Sequence, residues 1–360
     1  MQLEDFVRVV NNYYNSKGLD SDINRIVLDQ EVVNYVALAQ QNPLPKYKVA
    51  LVFTCLNPLY WEFAPEMVKG AKQFFLPGHK TDFFFWTDIP ENPDEIRTKM
   101  MSTFQNILQQ FGANPNDQNL LNLDVTIKGK NMNFPNMIKS VQELRKMEGV
   151  NIIPTEPIDW PMPTLLRYHL FLQQEEKLKE YDYIAYCDID MKWVGVCGDE
   201  ILPKSGLFAA PHPGYYLPKE LYPPYEPNEL STAYIKRPGR VITEDGKRRF
   251  RPEYYAGGFQ GGKSRPFIEA MKRMRDRIDI DRKNGYTAIW NDESHWNFEL
   301  SENPPEIMLD PGYIYPDSLI DDFYTKKVWW RNFQPKLMTL TKWFSLSPEG
   351  GQAVANMTKK

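Results

Sequence analysis

The sequence predicts an α/β fold: a single mixed, mostly parallel sheet flanked by helices. Three observations lead there. Short continuous apolar runs recur along the chain, as expected of strands buried on both faces. Segments of helical period separate them, which is the rhythm of β-α-β units. Polar or turn residues close each run.

The first run, Val49-Ala50-Leu51-Val52-Phe53, follows the proline-marked stretch Gln41-Asn42-Pro43-Leu44-Pro45. A helical segment through Met67, Lys69, Ala71 and Phe74 leads to Pro77-Gly78, and a second strand, Phe83-Phe84-Phe85-Trp86, ends at Asp88. Residues 91–145 turn polar and read as an insertion or a loosely helical, variable layer. Order returns at Val150-Asn151-Ile152-Ile153. A helix after Pro163 is expected to carry Leu165, His169 and Leu172 on one face. Tyr183-Ile184-Ala185-Tyr186-Cys187 reads as a central strand and Leu207-Phe208-Ala209-Ala210 as another. The clearest helix is 265–283, with Phe267, Met271, Met274 and Ile278 on one face and Asn284-Gly285 as its stop. Residues 1–45 read as a polar, partly helical extension, 46–345 as the main domain, and 346–360 as a flexible tail.

Composition excludes several classes. Of the 360 residues, 42% are hydrophobic and 25% charged, ordinary for a folded domain. A net charge of -4 leaves no electrostatic footprint for nucleic acid. No apolar stretch approaches the ~18 residues of a membrane span, and no secretory signal is expected. Cys55, Cys187 and Cys197 show no metal spacing and no even disulfide framework. They suit a reducing, cytoplasmic setting. Aromatic residues, at 14%, suit sugar faces and nucleobases, although packing alone accounts for them.

Three constellations carry chemistry. Asp188-Ile189-Asp190 directly follows the central strand, and alternation along that strand would put both carboxylates on one side with Ile189 on the other. Beyond the carboxyl end of a parallel strand, such a pair suits a hard divalent cation, or else a plain solvated turn. Trp290-Asn291-Asp292-Glu293-Ser294-His295 offers carboxylates for an oxocarbenium-like centre, while Asn291 or Asp292 could simply cap a helix. Tyr254-Tyr255-Ala256-Gly257-Gly258-Phe259-Gln260-Gly261-Gly262 puts glycines in a strand pattern, a mark of close approach by a ligand or another backbone. No Gly-Lys-Ser/Thr follows, so it is not a phosphate-binding P-loop. Nor does it fit the dinucleotide fingerprint, since no helix is expected at the required offset.

In order, these blocks closely resemble glycosyltransferase family 6, the family of the blood-group A and B transferases and the α-1,3-galactosyltransferases. The resemblance also takes in Val52-Phe53, the segment from Phe75 to Lys80, Trp160 to Arg167, His212-Pro213-Gly214-Tyr215 and Ala233-Tyr234-Ile235. It spans about residues 47–315 and fades after Tyr313. It implies a nucleotide-diphosphosugar transferase fold of the GT-A type, Mn2+ dependence and retention of anomeric configuration. The activity implied is transfer of galactose or N-acetylgalactosamine from a UDP-sugar, in α linkage, to a galactoside-type glycan acceptor. Residue by residue, Asp188 and Asp190 are similar to the metal-binding pair, and Asp188 also faces the donor. Phe53 stands where the family packs uracil. Tyr60 stands for its second aromatic, across a Leu56-Asn57-Pro58-Leu59 stretch longer than the usual spacing. Arg167 matches an arginine near the donor, and Ala256, Gly257, Gly258 and Asp292 match positions against the donor sugar. Glu293 matches the catalytic glutamate; His212 and Trp290 match acceptor-contacting positions. Asn291 replaces the more usual histidine, and Tyr315-Pro316 interrupts the family's Tyr-x-x-Asp. Two other readings stay open: a glycogenin-like transferase of a different hexose, and a non-catalytic sugar- or nucleotide-binding protein on the same fold. Oligomeric state is not legible.

Overall fold

The computed structural model describes residues 47–110, 124–127, 130–216, 223–236, 240–244, 247–251, 253–317 and 333–342. The expected extension 1–45 and tail 346–360 lie outside the described residues.

The strands are β1 (Lys48–Cys55), β2 (Lys80–Thr87), β3 (Asp124–Ile127), β4 (Lys130–Asn133), β5 (Val150–Pro154), β6 (Tyr183–Cys187), β7 (Met191–Trp193), β8 (Leu207–Pro211), β9 (Arg240–Glu244), β10 (Lys247–Arg251), β11 (Tyr255–Lys263), β12 (Ile307–Met308), β13 (Tyr315–Pro316) and β14 (Leu337–Thr339). Seven of them form the main sheet in the order β12-β8-β11-β6-β1-β2-β5. Its pairs are parallel except those of β11, which runs antiparallel to both β6 and β8. The mixed, mostly parallel sheet expected from the apolar runs is therefore present.

Both faces of β1 are buried, which is why its apolar run is continuous rather than alternating. Val49, Leu51, Phe53 and Cys55 join one core with Ala64, Met67, Val68 and Ala71 of helix α2 (Phe63–Phe74), which follows the short α1 (Pro58–Trp61). Ala50, Val52 and Leu56 join the opposite core. The polar stretch 91–145 contributes to the first core through two helices, α3 (Pro93–Gln110) and α4 (Phe134–Glu143). Ile96, Met100 and Phe104 recur every fourth residue and are buried there with Phe134, Ile138 and Val141.

The helix expected after Pro163 is broken in two, α5 (Met162–Leu165) and α6 (Arg167–Leu172), at Leu166 with φ -95° and ψ 8°. Its buried face is Arg167, Tyr168, Leu170 and Phe171, not a stripe through His169. The break resets the helical phase, and His169 instead pairs at the surface with Asp279, 2.9 Å away. Two short helices follow, α7 (Glu175–Leu178) and α8 (Pro213–Tyr216).

Helix α9 (Ser264–Lys283) matches the sequence expectation within one residue and stops at Gly285, whose φ of +77° favours glycine. It begins directly after β11, as the predicted 265–283 helix requires. The glycines themselves lie inside the strand, so the dinucleotide turn is still absent.

Helix α10 (Asn291–Glu302) is tied to β11 and to α9 by two side chains, Asn297 and Glu299. Asn297 exchanges two hydrogen bonds of 2.8 Å with the backbone of Tyr255, docking the helix on β11. Glu299 is fully buried between Arg273 and Arg277 of α9, at 2.6 and 2.7 Å. Burial opposes the Glu299 charge, but the two guanidiniums outweigh it and hold its pKa below the usual range. Among the described residues, no helix is long and apolar enough to cross a membrane.

Candidate active site

After β2 and β5 the chain returns to lay β6 on the other side of β1, so the carboxyl ends of β1 and β6 flank a topological switch point. A cavity of about 290 Å³ opens there. Thr54, Leu56 and Asn57 line it from the end of β1, and Asp188, Ile189 and Asp190 from beyond β6. The strand stops at Cys187, so Asp188-Ile189-Asp190 is a turn into β7 rather than strand continued. Strict alternation therefore fails: Ile189 lines the same cavity as the two carboxylates.

Arg167 is almost wholly buried and faces two of the acids. Its Nη1 donates to Asp188 Oδ1 at 3.2 Å, and its Nε lies 3.2 Å from Asp292 Oδ2 while donating to the Thr164 carbonyl. The break at Leu166 aims this guanidinium, which also sits over the Tyr186 ring at 4.3 Å. The Tyr186 hydroxyl donates to Asp188 Oδ1. Asp190 pairs instead with Lys342, Oδ2 to Nζ 2.6 Å.

Glu293 reaches the same place from α10. Its Oε2 accepts the Gly257 N–H at 2.8 Å. Burial is the main force raising its pKa, with the Gly257 donor working the other way. Burial likewise pushes Asp292 up to about 7; Arg167 resists, and the charges of Asp188 and Glu293 add to the rise. Carboxylates perturbed by desolvation beside named charge partners are a functional signature. Neither Asn291 nor Asp292 caps the helix with its side chain; Asn291 takes φ +49° and the cap position is Trp290.

The glycines of β11 have definite neighbours. A Cβ on Gly258 would lie 2.7 Å from Asp188 Oδ2, and one on Gly257 would lie 3.2 Å from Glu293 Cβ. The glycine pattern anticipated a ligand or another backbone; at Gly257 and Gly258 the close neighbours include the side chains of Glu293 and Asp188. Ala256 is buried next to them.

Phe53 needs correction. It is fully buried, stacked on Phe85 at 4.7 Å, and outside the cavity lining. Its side chain falls on the α2 face of β1, and the neighbouring Thr54 and Leu56 reach the cavity instead. Tyr60 does line it. The longer 56–59 stretch is pinned by Asp88, which accepts from Asn57 N–H at 3.0 Å and Trp61 Nε1–H at 2.8 Å. His212 sits 5.8 Å from the Tyr254 ring, and burial lowers its pKa to about 4, so it is neutral at pH 7. Tyr254 faces Glu293 closely enough that, after burial, the Glu293 charge raises its pKa further. Trp290 is half exposed at the start of α10. His212, Trp290, Asp292 and Glu293 do not line the 290 Å³ cavity; Arg167 and Asp188 join the two parts.

Sequence reasoning missed Lys342, Trp160 and Gln260. Lys342 comes from a segment whose pairing with β7 has no local signature. Trp160, 71% exposed on the cavity wall, stood within a resembling block without a role. Gln260 is fully buried and donates to the Gly257 carbonyl at 2.9 Å, and it stood inside the glycine block. Conversely, His79 of the Phe75 to Lys80 segment is structural: its Nδ1 accepts from Tyr47 N–H at 3.0 Å and its Nε2 meets Asp199 at 2.8 Å.

The donor set at 188–190 is two hard carboxylate oxygens in a turn, with Gly258 leaving the space Asp188 occupies. That chemistry fits a divalent ion of the Mg2+ or Mn2+ kind. Among the described residues no group of three or more His, Cys, Asp or Glu converges on a metal position, so further ligands would come from substrate and water.

The sequence model of glycosyltransferase family 6 matches residues 164–344, just over half the chain. That match continues past Tyr313, where the sequence resemblance fades, and includes Lys342. The chain is 26% identical over 297 residues to histo-blood group ABO system transferase 1 of Rattus norvegicus, covering 82% of this chain and 66% of that protein. It is 26% identical over 259 residues to globoside alpha-1,3-N-acetylgalactosaminyltransferase 1 of Gallus gallus, covering 72% and 59%. An O-antigen biosynthesis glycosyltransferase of Escherichia coli is 27% identical over 172 residues, covering 48% of this chain and 68% of that one. The chain therefore spans less than two thirds of the length of the two animal relatives.

Proposed function

Because the chain belongs to glycosyltransferase family 6, we propose that it transfers galactose or N-acetylgalactosamine from a UDP-sugar to a galactoside-type glycan, with retention and therefore in α linkage. The observation that carries this reading is the meeting of Asp188, Arg167, Asp292 and Glu293 on the glycines of β11, beside a cavity at the switch point of a GT-A type α/β sheet. The relatives named for blood-group and globoside sugar transfer support the donor class, and the O-antigen enzyme supports a glycan acceptor.

The cavity walled by Tyr60, Trp160 and Thr164 receives the nucleotide. Asp188 and Asp190 hold Mn2+, which when bound supplies positive charge to the leaving diphosphate. Arg167 fixes Asp188 and Asp292 in one orientation and keeps their charges from repelling. In the reaction the anomeric carbon loses its bond to the diphosphate oxygen, UDP departs with the electron pair, and the acceptor hydroxyl adds to the carbon and passes its proton to the departing diphosphate oxygen. Glu293 faces the carbon as positive charge develops, held by the Gly257 N–H so that little reorganisation is needed. Asp292 holds sugar hydroxyls, and neutral His212 with Trp290 receives the acceptor. Three buried, unpaired thiols accord with work in the reducing cytoplasm.

A donor screen by UDP release, with glycan acceptors, Mn2+ and a chelator arm, tests the proposal. The expected result is acceptor-dependent release from UDP-galactose or UDP-N-acetylgalactosamine and none in excess EDTA. Preference for UDP-glucose would favour the glycogenin-like reading. No release from any donor would favour a binding protein.

A further inference from the structure

We propose that Lys342 is the resident counter-cation of Asp190, and that a divalent ion binds there only by evicting its ammonium group. The inference rests on the metal site proposed above and adds a residue that sets that site's affinity.

Each acid of the pair already has a protein cation. Asp188 is matched by Arg167 at 3.2 Å and Asp190 by Lys342 at 2.6 Å. The two pairs differ in how firmly the cation is committed. Arg167 is shared with Asp292 and held by Thr164, and its side chain is only 4% exposed. Lys342 is an unbranched stem whose ammonium meets Asp190 and the Tyr60 hydroxyl, 5.2 Å from the centre of the Tyr60 ring. Its side chain is 29% exposed and that of Asp190 19%, so the pair is partly desolvated and is not an idle surface contact.

The backbone delivers Lys342 to this spot independently of the ion pair. Strand β14 pairs antiparallel with β7, from Leu337 opposite Trp193 to Thr339 opposite Met191. The Leu340 N–H then donates to the Asp190 carbonyl at 3.0 Å, and Thr341 gives its N–H and hydroxyl to Asp317, both at 2.7 Å. Lys342 is therefore set down one residue beyond a fixed point, on the carboxylate that the metal needs. An ammonium and a divalent ion on one carboxylate repel each other at short range. Mn2+ alone thus binds against a resident competitor, and removing the competitor strengthens its binding. A lysine serving only to anchor the segment would give the opposite sign or no change.

The experiment is Mn2+ binding to the full chain without nucleotide, read from the electron paramagnetic resonance of free Mn2+. Variants are Lys342→Met, Lys342→Arg and Asp190→Asn, with melting temperatures to confirm folding. Lys342→Met is expected to bind Mn2+ more tightly than the unmodified chain, on the order of tenfold or more, as one neighbouring charge shifts a carboxylate's proton affinity. Lys342→Arg keeps the charge and is expected to stay weak, and Asp190→Asn is expected to erase the gain made by Lys342→Met. Equal or weaker binding by Lys342→Met would overturn the inference while leaving the metal site standing. No Mn2+ binding by any variant would overturn the metal site and the inference together.

Discussion

At the scale of single residues, Glu293 carries the strongest expectation. Glu293→Gln keeps an oxygen for the Gly257 N–H but loses the charge, so stability and donor affinity should hardly change. Turnover should fall on the order of 10²–10³, the usual effect of removing one electrostatic partner of the transition state. Steady-state kinetics and a melting curve on the one variant read both quantities; near-normal turnover would make Glu293 a mere first-turn helix acid. Gly258 is a different case. Its missing Cβ is where Asp188 Oδ2 sits, 2.7 Å from the built position. Gly258→Ala should therefore lower turnover with UDP-galactose and UDP-N-acetylgalactosamine together, with any shift toward galactose on top. A change confined to the donor ratio would show that Asp188 moves aside without harm. His212, half-buried and neutral, has a folded pKa of about 4 against about 6.5 in the unfolded chain. Below 6.5 the unfolded state binds more protons, so this contribution to stability is complete above 6.5 and is lost as pH falls toward 4. Melting temperatures across that window should fall less steeply for His212→Asn.

At the scale of elements, the stretch 91–145 shows what sequence left hidden. Its many Asn, Gln and Lys residues diluted an apolar stripe of which three residues in each helix are buried in the core. Phe104 is fully buried with its ring 4.6 Å from Phe134. Phe104→Ala should cost about 3–5 kcal/mol by chemical denaturation, as for other large buried aromatics; a loss under about 1 kcal/mol would mean α3 is dispensable. The buried strands were legible because continuous apolar runs leave few alternatives, and α9 because its period and stop agree. The break at Leu166 was not legible, since it serves the placement of Arg167 against acids more than twenty residues away in sequence. Phe53 was misplaced for a related reason. When both faces of a strand are buried, neighbouring positions look alike, and only tertiary packing decides which of Phe53 and Thr54 meets the cavity. Lys342 was missed because its position depends on β14 finding β7 across more than a hundred residues.

At the scale of the whole molecule, two units cooperate. The parallel half, with β1 and β6 ending at the cavity, is the side proposed to receive the nucleotide. The antiparallel strand β11, with α10 docked on it through Asn297 and tied to α9 through Glu299, carries the carboxylates proposed to face the sugar. Arg167 and Asp188 are the shared parts, so the site needs both units in register. The central claim is that this junction moves a hexose with retention. The direct measurement is the proton magnetic resonance spectrum of the disaccharide linkage formed from an α-linked UDP-sugar and a galactoside acceptor in the presence of Mn2+. An α-anomeric signal is expected from the unmodified chain and none from Asp188→Ala. A β-linked product, or an undiminished product from Asp188→Ala, would contradict the claim.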